Sequence, residues 1–560
     1  MGDMLGNALS ALVSYQRALA TTSHNIANAD TEGYSRQRVD FATRVPQQLG
    51  NTTIGSGVKV SSVSRVYDNF TAGQLRSAQA AFSAVNNSYQ LASQLDNALA
   101  DPNLGLGASL SRYYNSIQGV ADDPSSISSR QLMLAEAQGL GDRFADLSAQ
   151  LDSLGREVNV RISTSVSDIN DLATQIADIN LLISESRGKF GTTPNDLLDQ
   201  RDQALVLGER TIKMNAVSNV FEPGRIEVAM DMGGGQAVIS SSLSGGSLGG
   251  SLNFRDGLLN ETRNELGRIS LAVASSMNEQ NRAGIDLRGN QGGDLFSVPD
   301  PVVHRSLNNI SATQMTAQIS DLSQVTGNNV LMRFNGTNWS FFDEANGAQL
   351  SGVTGTGSVA DPFEYKGVQF SLNGPAAAGD QFVLRPTEGA AAGLKLALTD
   401  PAAIAAAAAT RSLSGSNNIG SGSISQTNVV DSGNPNLLDN VDIEFLTATT
   451  YQINGSGSFA YTPGAELNIN GNQFVLNGSP VAGDRFFIGA NTNAVGDNRN
   501  ILKLAGAENL KLLNGGTVSV QDAVNGLVGD IAVATRSAQI NKQSQENLLS
   551  QTRARYESVS

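Results

Sequence analysis

The 560-residue sequence predicts an α+β multidomain fold in which long terminal α-helices form a coiled-coil-like bundle and β-rich outer domains are inserted between them. Three observations carry this reading. Apolar residues repeat every seven positions at the N-terminus. Thirteen apolar positions from Leu140 to Ile183 recur about every 3.6 residues, the helical period. Beyond Pro299, Asn-Gly dipeptides sit between alternating apolar residues, the pattern of β-hairpins. The chain divides on this reading into an N-terminal helix (1–28), an extended or β linker (29–68), a helical-bundle domain with a small β element (69–300), a β-rich outer domain (301–410), a second β-rich unit (411–490) and a helical part returning to the bundle (491–560).

Taken in order, Leu5, Leu12, Leu19 and Ile26 form a narrow seam, and Ala8, Tyr15 and Thr22 complete an a/d pattern over a helix from about Leu5 to Ala27. So narrow a seam suits pairing with another helix, of this chain or another, with packing on its own domain as the alternative. Turn formers Asn28 to Tyr34 stop the helix, and Gly33 suits a positive φ. Val58, Val60 and Val63 mark a short strand or ribbon. A second helix begins near Asn69. Asp123-Pro124 supplies an N-cap and a first-turn proline for a very long helix, about 128 to 186, with Gly155 as its expected kink. Residues 215–239 alternate like strands, and one more helix runs from about Leu252 to Arg282.

The sequence GVQFSLNGPAAAGDQFVL at 367–384 returns at 471–488 as GNQFVLNGSPVAGDRFFI, ten identities in eighteen. Two related β units follow, each repeat expected to fold as a hairpin around Asn373-Gly374 or Asn477-Gly478, with Phe370, Leu372 and Phe382 matching Phe474, Leu476 and Phe486 on the buried face. Ala402 to Ala409 and the Gly/Ser/Asn stretch 414–424 read as the separator. The last fifty residues regain helical spacing.

Composition excludes whole classes of chemistry. There is no cysteine and there are two histidines, His24 and His304, which removes disulfides, thiolate nucleophiles and His-pair metal sites. Acidic residues outnumber basic ones 52 to 37 without a Lys/Arg run, so neither nucleic acid nor an anionic membrane is an expected partner. No stretch approaches 18 apolar residues, and the N-terminus lacks the pattern of a cleavable signal; a cytoplasmic protein and one exported by another route both fit. No phosphate loop, metalloprotease motif or nucleophile elbow is present. The sequence DLRGNQGGD at 286–294 has faint calcium-loop character, spoiled by Arg288, and reads as a polar turn. Asp199 and Asp202 flank Arg201 on a helix and read as an intrahelical ion network. No cofactor or metal is expected.

At Ser23 to Gln37 the sequence SHNIANADTEGYSRQ resembles the N-terminal signature of the axial flagellar proteins, the rod, hook and hook-associated family, through Asn25, Ile26, Ala27, Asn28, Thr31, Gly33, Tyr34, Arg36 and Gln37. The blocks RQLMLAEA (130–137), NDLLDQRDQ (195–203), GGSLNFRDGLLNE and NEQNRAGIDLRGNQGGDLF (249–296) and GDNRNILKL (496–504) are similar to its hook-associated junction members.

The resemblance implies a non-enzymatic structural protein exported through the flagellar type III apparatus with an uncleaved N-terminus, extracellular at the junction of hook and filament. It implies partners: other copies of itself in a ring of about eleven, the hook protein, a second junction protein and a cytoplasmic export chaperone. The assembly seam would be Leu5, Leu12, Tyr15, Leu19 and Ile26. Family members continue past a Ser-Gly-Val-Asn-Leu-type turn into a helix that pairs with the first; this sequence stops at Ser560. The alternatives are another axial flagellar protein, such as the hook subunit or second junction protein, or a secreted adhesin or enzyme on the same scaffold with its site in 301–490.

Overall fold

A computed structural model describes residues 2–31, 33–49, 51–99, 105–192, 194–207, 214–232 and 234–559. Its α-helices are α1 (Gly2–Ala27), α2 (Asn69–Leu99), α3 (Leu106–Asp122), α4 (Ile127–Phe190), α5 (Asn195–Leu207), α6 (Gly246–Phe254), α7 (Asn260–Arg282), α8 (Ala390–Gly393), α9 (Arg499–Gly506) and α10 (Val520–Val559). The long apolar period is one 64-residue helix, α4, helical through Gly155. Its N-cap is Ser126 rather than Asp123: the Ser129 N–H donates to Ser126 Oγ at 3.2 Å, and Asp123 instead closes α3. The helix expected near 252–282 is present and begins earlier, at Gly246, with a π-helical turn at Arg255–Leu259 between its α6 and α7 parts.

The chain forms two compact units, each discontinuous in sequence: residues 1–93, 155–255 and 534–560, and residues 94–154 with 256–533. In the first, β1 (Gln37–Thr43) pairs antiparallel with β4 (Val58–Arg65), and the short β2 (Gln47–Leu49) and β3 (Thr52–Ile54) pair near its far end. α1 lies along this ribbon on its small polar face: Ser14 Oγ donates to the Val58 carbonyl at 3.4 Å, and Asn7 Nδ2 to the Gly55 carbonyl at 3.1 Å. The three-stranded sheet β5 (Met214–Ser218), β6 (Ile226–Asp231), β7 (Gln236–Val238) completes the unit's β structure. Helical period becomes burial here: Val158, Ile162, Val166, Ile176 and Ile183 of α4 are all buried. On β6, the carboxylate of Glu227 is held at a pKa of about 2; burial alone would raise it, but Arg255, Arg225, Ser240 and Asn219 more than offset that cost.

The second unit carries short two-stranded pairings of β8 (Gly284–Ile285) with β18 (Ala407–Ala408), of β9 (Phe296–Ser297) with β17 (Lys395–Leu396), and of β28 (Lys511–Leu513) with β29 (Val518–Ser519). It also carries two β-sandwiches. The first is built from β10 (Val302–Arg305), β11 (Met315–Ile319), β12 (Val330–Phe334), β13 (Trp339–Asp343), β14 (Phe363–Tyr365), β15 (Val368–Leu372) and β16 (Gln381–Arg385), in sheets ordered β10-β16-β12-β13 and β11-β15-β14. The second uses β19 (Thr410–Ser414), β20 (Ser423–Ile424), β21 (Asn428–Val429), β22 (Val441–Thr447), β23 (Thr450–Ile453), β24 (Ser456–Ala460), β25 (Glu466–Ile469), β26 (Asn472–Asn477) and β27 (Arg485–Ala490). Its sheets run β19-β27-β22-β23-β24 and β25-β26, with β20 and β21 sharing the other edge of β26. The topology is the same apart from the added edge strand β24 and the interruption between β20 and β21.

The hairpin expected at each internal repeat is not formed. β15 and β16 lie in different sheets, as do β26 and β27, so each repeat is a strand, a corner and a strand across the sandwich. The burial match holds, because opposite sheets turn their inner faces to one core: Phe370, Phe382, Phe474, Leu476 and Phe486 are all at most 2 % exposed, and Leu372 packs on the rim. True two-residue hairpin turns occur at Asn454-Gly455 and Asn470-Gly471, where both residues have positive φ (48° and 74°; 52° and 79°). The supposed separator is also not a linker: Ile404, Ala405, Ala406, Ala407 and Ala409 are buried.

Candidate functional site

The signature segment after α1 is a polar knot in the first unit. Asn25 acts as a surrogate backbone for Gln37: its Nδ2 donates to the Gln37 carbonyl at 2.8 Å, and its Oδ1 accepts from the Gln37 N–H at 2.9 Å. The Tyr34 hydroxyl also donates to Asn25 Oδ1 at 2.8 Å, and His24 Nδ1 lies 2.9 Å from the same hydroxyl. Asn28 closes the helix end by donating to the His24 carbonyl at 2.9 Å, and Thr31 Oγ1 donates to Asn28 Oδ1 at 3.3 Å. Gly33 has φ +81°, and a Cβ there would sit 3.2 Å from the Gln203 side chain. Asn25, Asn28, Thr31, Gly33, Tyr34 and Gln37 thus act together; Ile26, Ala27 and Arg36 point to solvent.

The knot docks on the 195–203 block. Gln37 Nε2 donates to Asp196 Oδ1 at 2.9 Å, and Asn195 Nδ2 to the Val63 carbonyl at 2.9 Å. The Ser35 N–H donates to Asp199 Oδ2 at 3.1 Å. The intrahelical network expected of Asp199 and Asp202 is present only in part, as the 3.2 Å pair of Arg201 with Asp202. Both carboxylates also grip Arg65 of β4, at 2.9 and 2.6 Å, with the side chains of Arg65, Asp199 and Asp202 at most 12 % exposed. The Arg65 guanidinium lies over the Tyr67 ring at 4.0 Å. Burial and then the Asp196 and Asp199 carboxylates push the Tyr34 hydroxyl pKa up, so it stays a neutral donor. Arg65 had no motif to announce it; its partners lie 134 residues or more away.

The predicted assembly seam occupies the opposite face of α1. Leu5, Leu12, Tyr15, Leu19 and Ile26 are 57–75 % exposed, joined by Met4 and Leu9, with the Tyr15 ring 5.6 Å from that of Phe41. The structure therefore brings together Asn25, Asn28, Thr31, Gly33, Tyr34 and Gln37 of the signature and leaves the seam largely exposed.

Three other family-like blocks converge in the second unit on the Ala-rich segment. Arg130, 1 % exposed, donates to the carbonyls of Pro124 (2.8 Å), Pro401 (3.2 Å) and Ile404 (2.6 Å). Asn281 Oδ1 accepts from the Ala405 N–H at 2.9 Å, and Asn500 Nδ2 donates to the Ala405 carbonyl at 2.7 Å. RQLMLAEA, NEQNRAG and GDNRNILKL thus clamp the chain between the two sandwiches.

Potential catalytic groups are engaged in structure. His304 Nε2 lies 2.7 Å from Glu388, and Asp286 accepts from the N–H groups of Arg288 and Asn290, the polar turn expected. Among the described residues no cluster of three or more His, Asp or Glu side chains is placed to hold a metal, and no helix is long and apolar enough to cross a membrane.

Comparison with known proteins agrees with the motif distribution. Residues 92–205 and 203–296 match the family model of the flagellar hook-associated protein FlgK helical domain, 303–386 that of the flagellar hook-associated protein 1 D2-like domain, and 5–34 that of the flagella basal body rod protein. Flagellar hook-associated protein 1 of Salmonella typhimurium is 34 % identical over 444 residues, covering 73 % of this chain and 80 % of the relative. The Escherichia coli K12 protein of that name is 32 % identical over 441 residues, with the same coverage. The solved structure of the flagellar hook junction protein FlgK from Burkholderia pseudomallei is 27 % identical and superposes with a TM-score of 0.77 over 87 % of this chain and all of that one. With the rod-type, helical and D2-like segments following one another in order and an alignment across nearly three quarters of its length, the chain belongs to the flagellar hook-associated protein 1 family.

Proposed function

We propose that this protein is a structural component of the bacterial flagellum that assembles as a ring on the distal hook and connects it to the filament. The observation that carries this is the α1 seam: five large apolar side chains more than half exposed on one helix face, fixed at its base by the signature knot. Leaving such a stripe in water is unfavourable by about 25 cal/mol per Å² of apolar surface, so it is suited to burial between chains. Contacts of that kind, repeated head to tail about a rotation axis, close into a ring; about eleven copies is the number the family resemblance suggests. Hook protein below and a second junction protein above are the remaining axial partners, and a cytoplasmic chaperone would guard the chain before type III export to the cell exterior. The role is architectural rather than enzymatic. The test is complementation of a strain lacking the gene: filaments should return with the wild-type chain and not with Leu12→Glu/Leu19→Glu. Filament growth with the doubly charged variant would sink the reading.

A further inference from the structure

A cleft of about 740 Å³ opens in the first unit beside the signature knot, its walls drawn from the knot, the start of α2, α5 and the end of α10. Tyr34, Tyr67 and Tyr556 line it together with Arg36, Arg76 and Gln203. The charges in it are unequal in availability. Asp202 is committed to Arg65, and Glu557 faces Arg553 at 3.9 Å. Arg36 and Arg76 have no ion-pair partner among the described residues, whereas Arg65 is paired with Asp199 and Asp202. Asp30 is the acidic lining residue left without a cationic partner among the described residues, so two open guanidiniums face one open carboxylate.

We propose that this cleft receives an extended acidic segment of a neighbouring axial subunit, with Arg36 and Arg76 pairing its carboxylates and the three tyrosines supplying flat amphipathic contact surface. Guanidinium groups are the usual readers of acidic motifs, because their planar fork matches a carboxylate in two hydrogen bonds. Tyrosine adds contact area at low entropic cost. The Gln203 amide, exposed and without a hydrogen-bond partner among the described residues, is placed to meet a peptide backbone. Charge complementarity also favours such a visitor: the chain as a whole carries −15, so a site with open cations is where a similarly acidic neighbour can approach without repulsion. The inference rests on the assembly reading only for the source of the segment. It differs from the α1 seam in chemistry and in salt dependence.

The experiment uses the full chain at dilute concentration and fluorescein-labelled hexaglutamate, with hexalysine as the opposite-charge probe and anisotropy as readout. Saturable 1:1 binding of hexaglutamate alone is expected, weakened at least tenfold by Arg36→Ala/Arg76→Ala and by raising salt from 50 to 500 mM, and unchanged by Arg17→Ala on α1 outside the cleft. Thermal melts of the double variant should match wild type, since neither arginine makes an ion pair among the described residues. Absence of saturable binding, equal affinity in the double variant, or a signal traced by sedimentation to self-association of the chain would each overturn the proposal. Leu12→Glu/Leu19→Glu separates the two readings: it should leave hexaglutamate binding intact even where it blocks filament growth.

Discussion

Asn309 and Asn418 hold the same position in the two sandwiches, each pairing its side-chain amide with the backbone of the residue that follows a buried aspartate. Asn309 exchanges two 2.8 Å hydrogen bonds with Gln381, and Asn418 does the same with Arg485. The preceding Asp380 accepts from the N–H groups of Ile310 and Ala377 and from the Ser311 hydroxyl; Asp484 accepts from the N–H groups of Ile419, Gly420 and Val481. The shared Asn-Asn-Ile at 308–310 and 417–419 with Gly-Asp at 379–380 and 483–484 is thus one clip used twice, tying the loop after the first strand to the corner before the last. Its recurrence, with the common strand order, marks the sandwiches as duplicates.

Removing the clip should unfold one sandwich selectively. Asp380→Ala and Asp484→Ala each remove a buried carboxylate on which several part-buried N–H donors converge, at a cost of about 1–3 kcal/mol. Denaturant unfolding followed at Trp339, the sole tryptophan and a neighbour of the first core, should report the Asp380 change and be nearly blind to the Asp484 change. Equal shifts at Trp339 would mean that the sandwiches unfold as one body.

The Arg65 node makes a second prediction. Arg65→Met strands two largely buried carboxylates and should destabilise the first unit by about 3–5 kcal/mol. Adding Asp199→Asn and Asp202→Asn removes the stranded charges and should restore a good part of that loss. A triple variant no better than Arg65→Met would show that the arginine serves by packing on Tyr67 rather than by neutralising the pair.

Glu227 gives a pH dependence of defined sign. Its folded pKa, about 2, lies below the ordinary value near 4.5, so it contributes stability that is fully present above about pH 4.5 and is lost as pH falls towards 2. Comparing wild type with Glu227→Gln between pH 5 and 2, the stability difference should shrink as the pH drops. A difference constant over that range would place the folded pKa at its ordinary value.

Legibility in the sequence followed the range of the interaction. Helices were readable because their signal repeats locally: the period through Leu140 to Ile183 yielded α4 within a few residues at each end. An Asn-Gly pair is readable as a turn but not as a destination. Asn454-Gly455 joins adjacent strands, whereas Asn477-Gly478 stands at the corner leading from one sheet to the other, and only the partner strands decide which. Ala402 to Ala409 resembled a linker because nothing in small residues themselves encodes burial; Arg130, 271 residues before Pro401, supplies it. Of the site, the signature residues were legible through resemblance, while the paired role of Asp199 and Asp202 depended on a strand far away in the chain.

The last prediction concerns how α1 is held. Its contacts with the ribbon are mostly polar, through Asn7, Ser10, Ser14 and, at its base, Asn25, with the Tyr15–Phe41 ring pair beside them, while the rest of its apolar stripe remains in water. An isolated helix of such length draws little stability from propensity, and hydrogen bonds close to solvent add about 1 kcal/mol each at most. In the dilute chain, amide hydrogens of residues 5–27 should therefore exchange orders of magnitude faster than those of 140–183, whose apolar positions are largely buried. On incorporation into filament-bearing hooks the same amides should become protected as the stripe is covered. Charging the stripe should then alter exchange in the assembled state while leaving the melting temperature of the free chain nearly unchanged, since exposed positions shift stability by no more than about 0.5 kcal/mol. Strong protection of 5–27 in the dilute chain, or a large fall in melting temperature with Leu12→Glu, would mean that the helix is already packed before assembly, and the stripe would lose its claim to be the surface between copies.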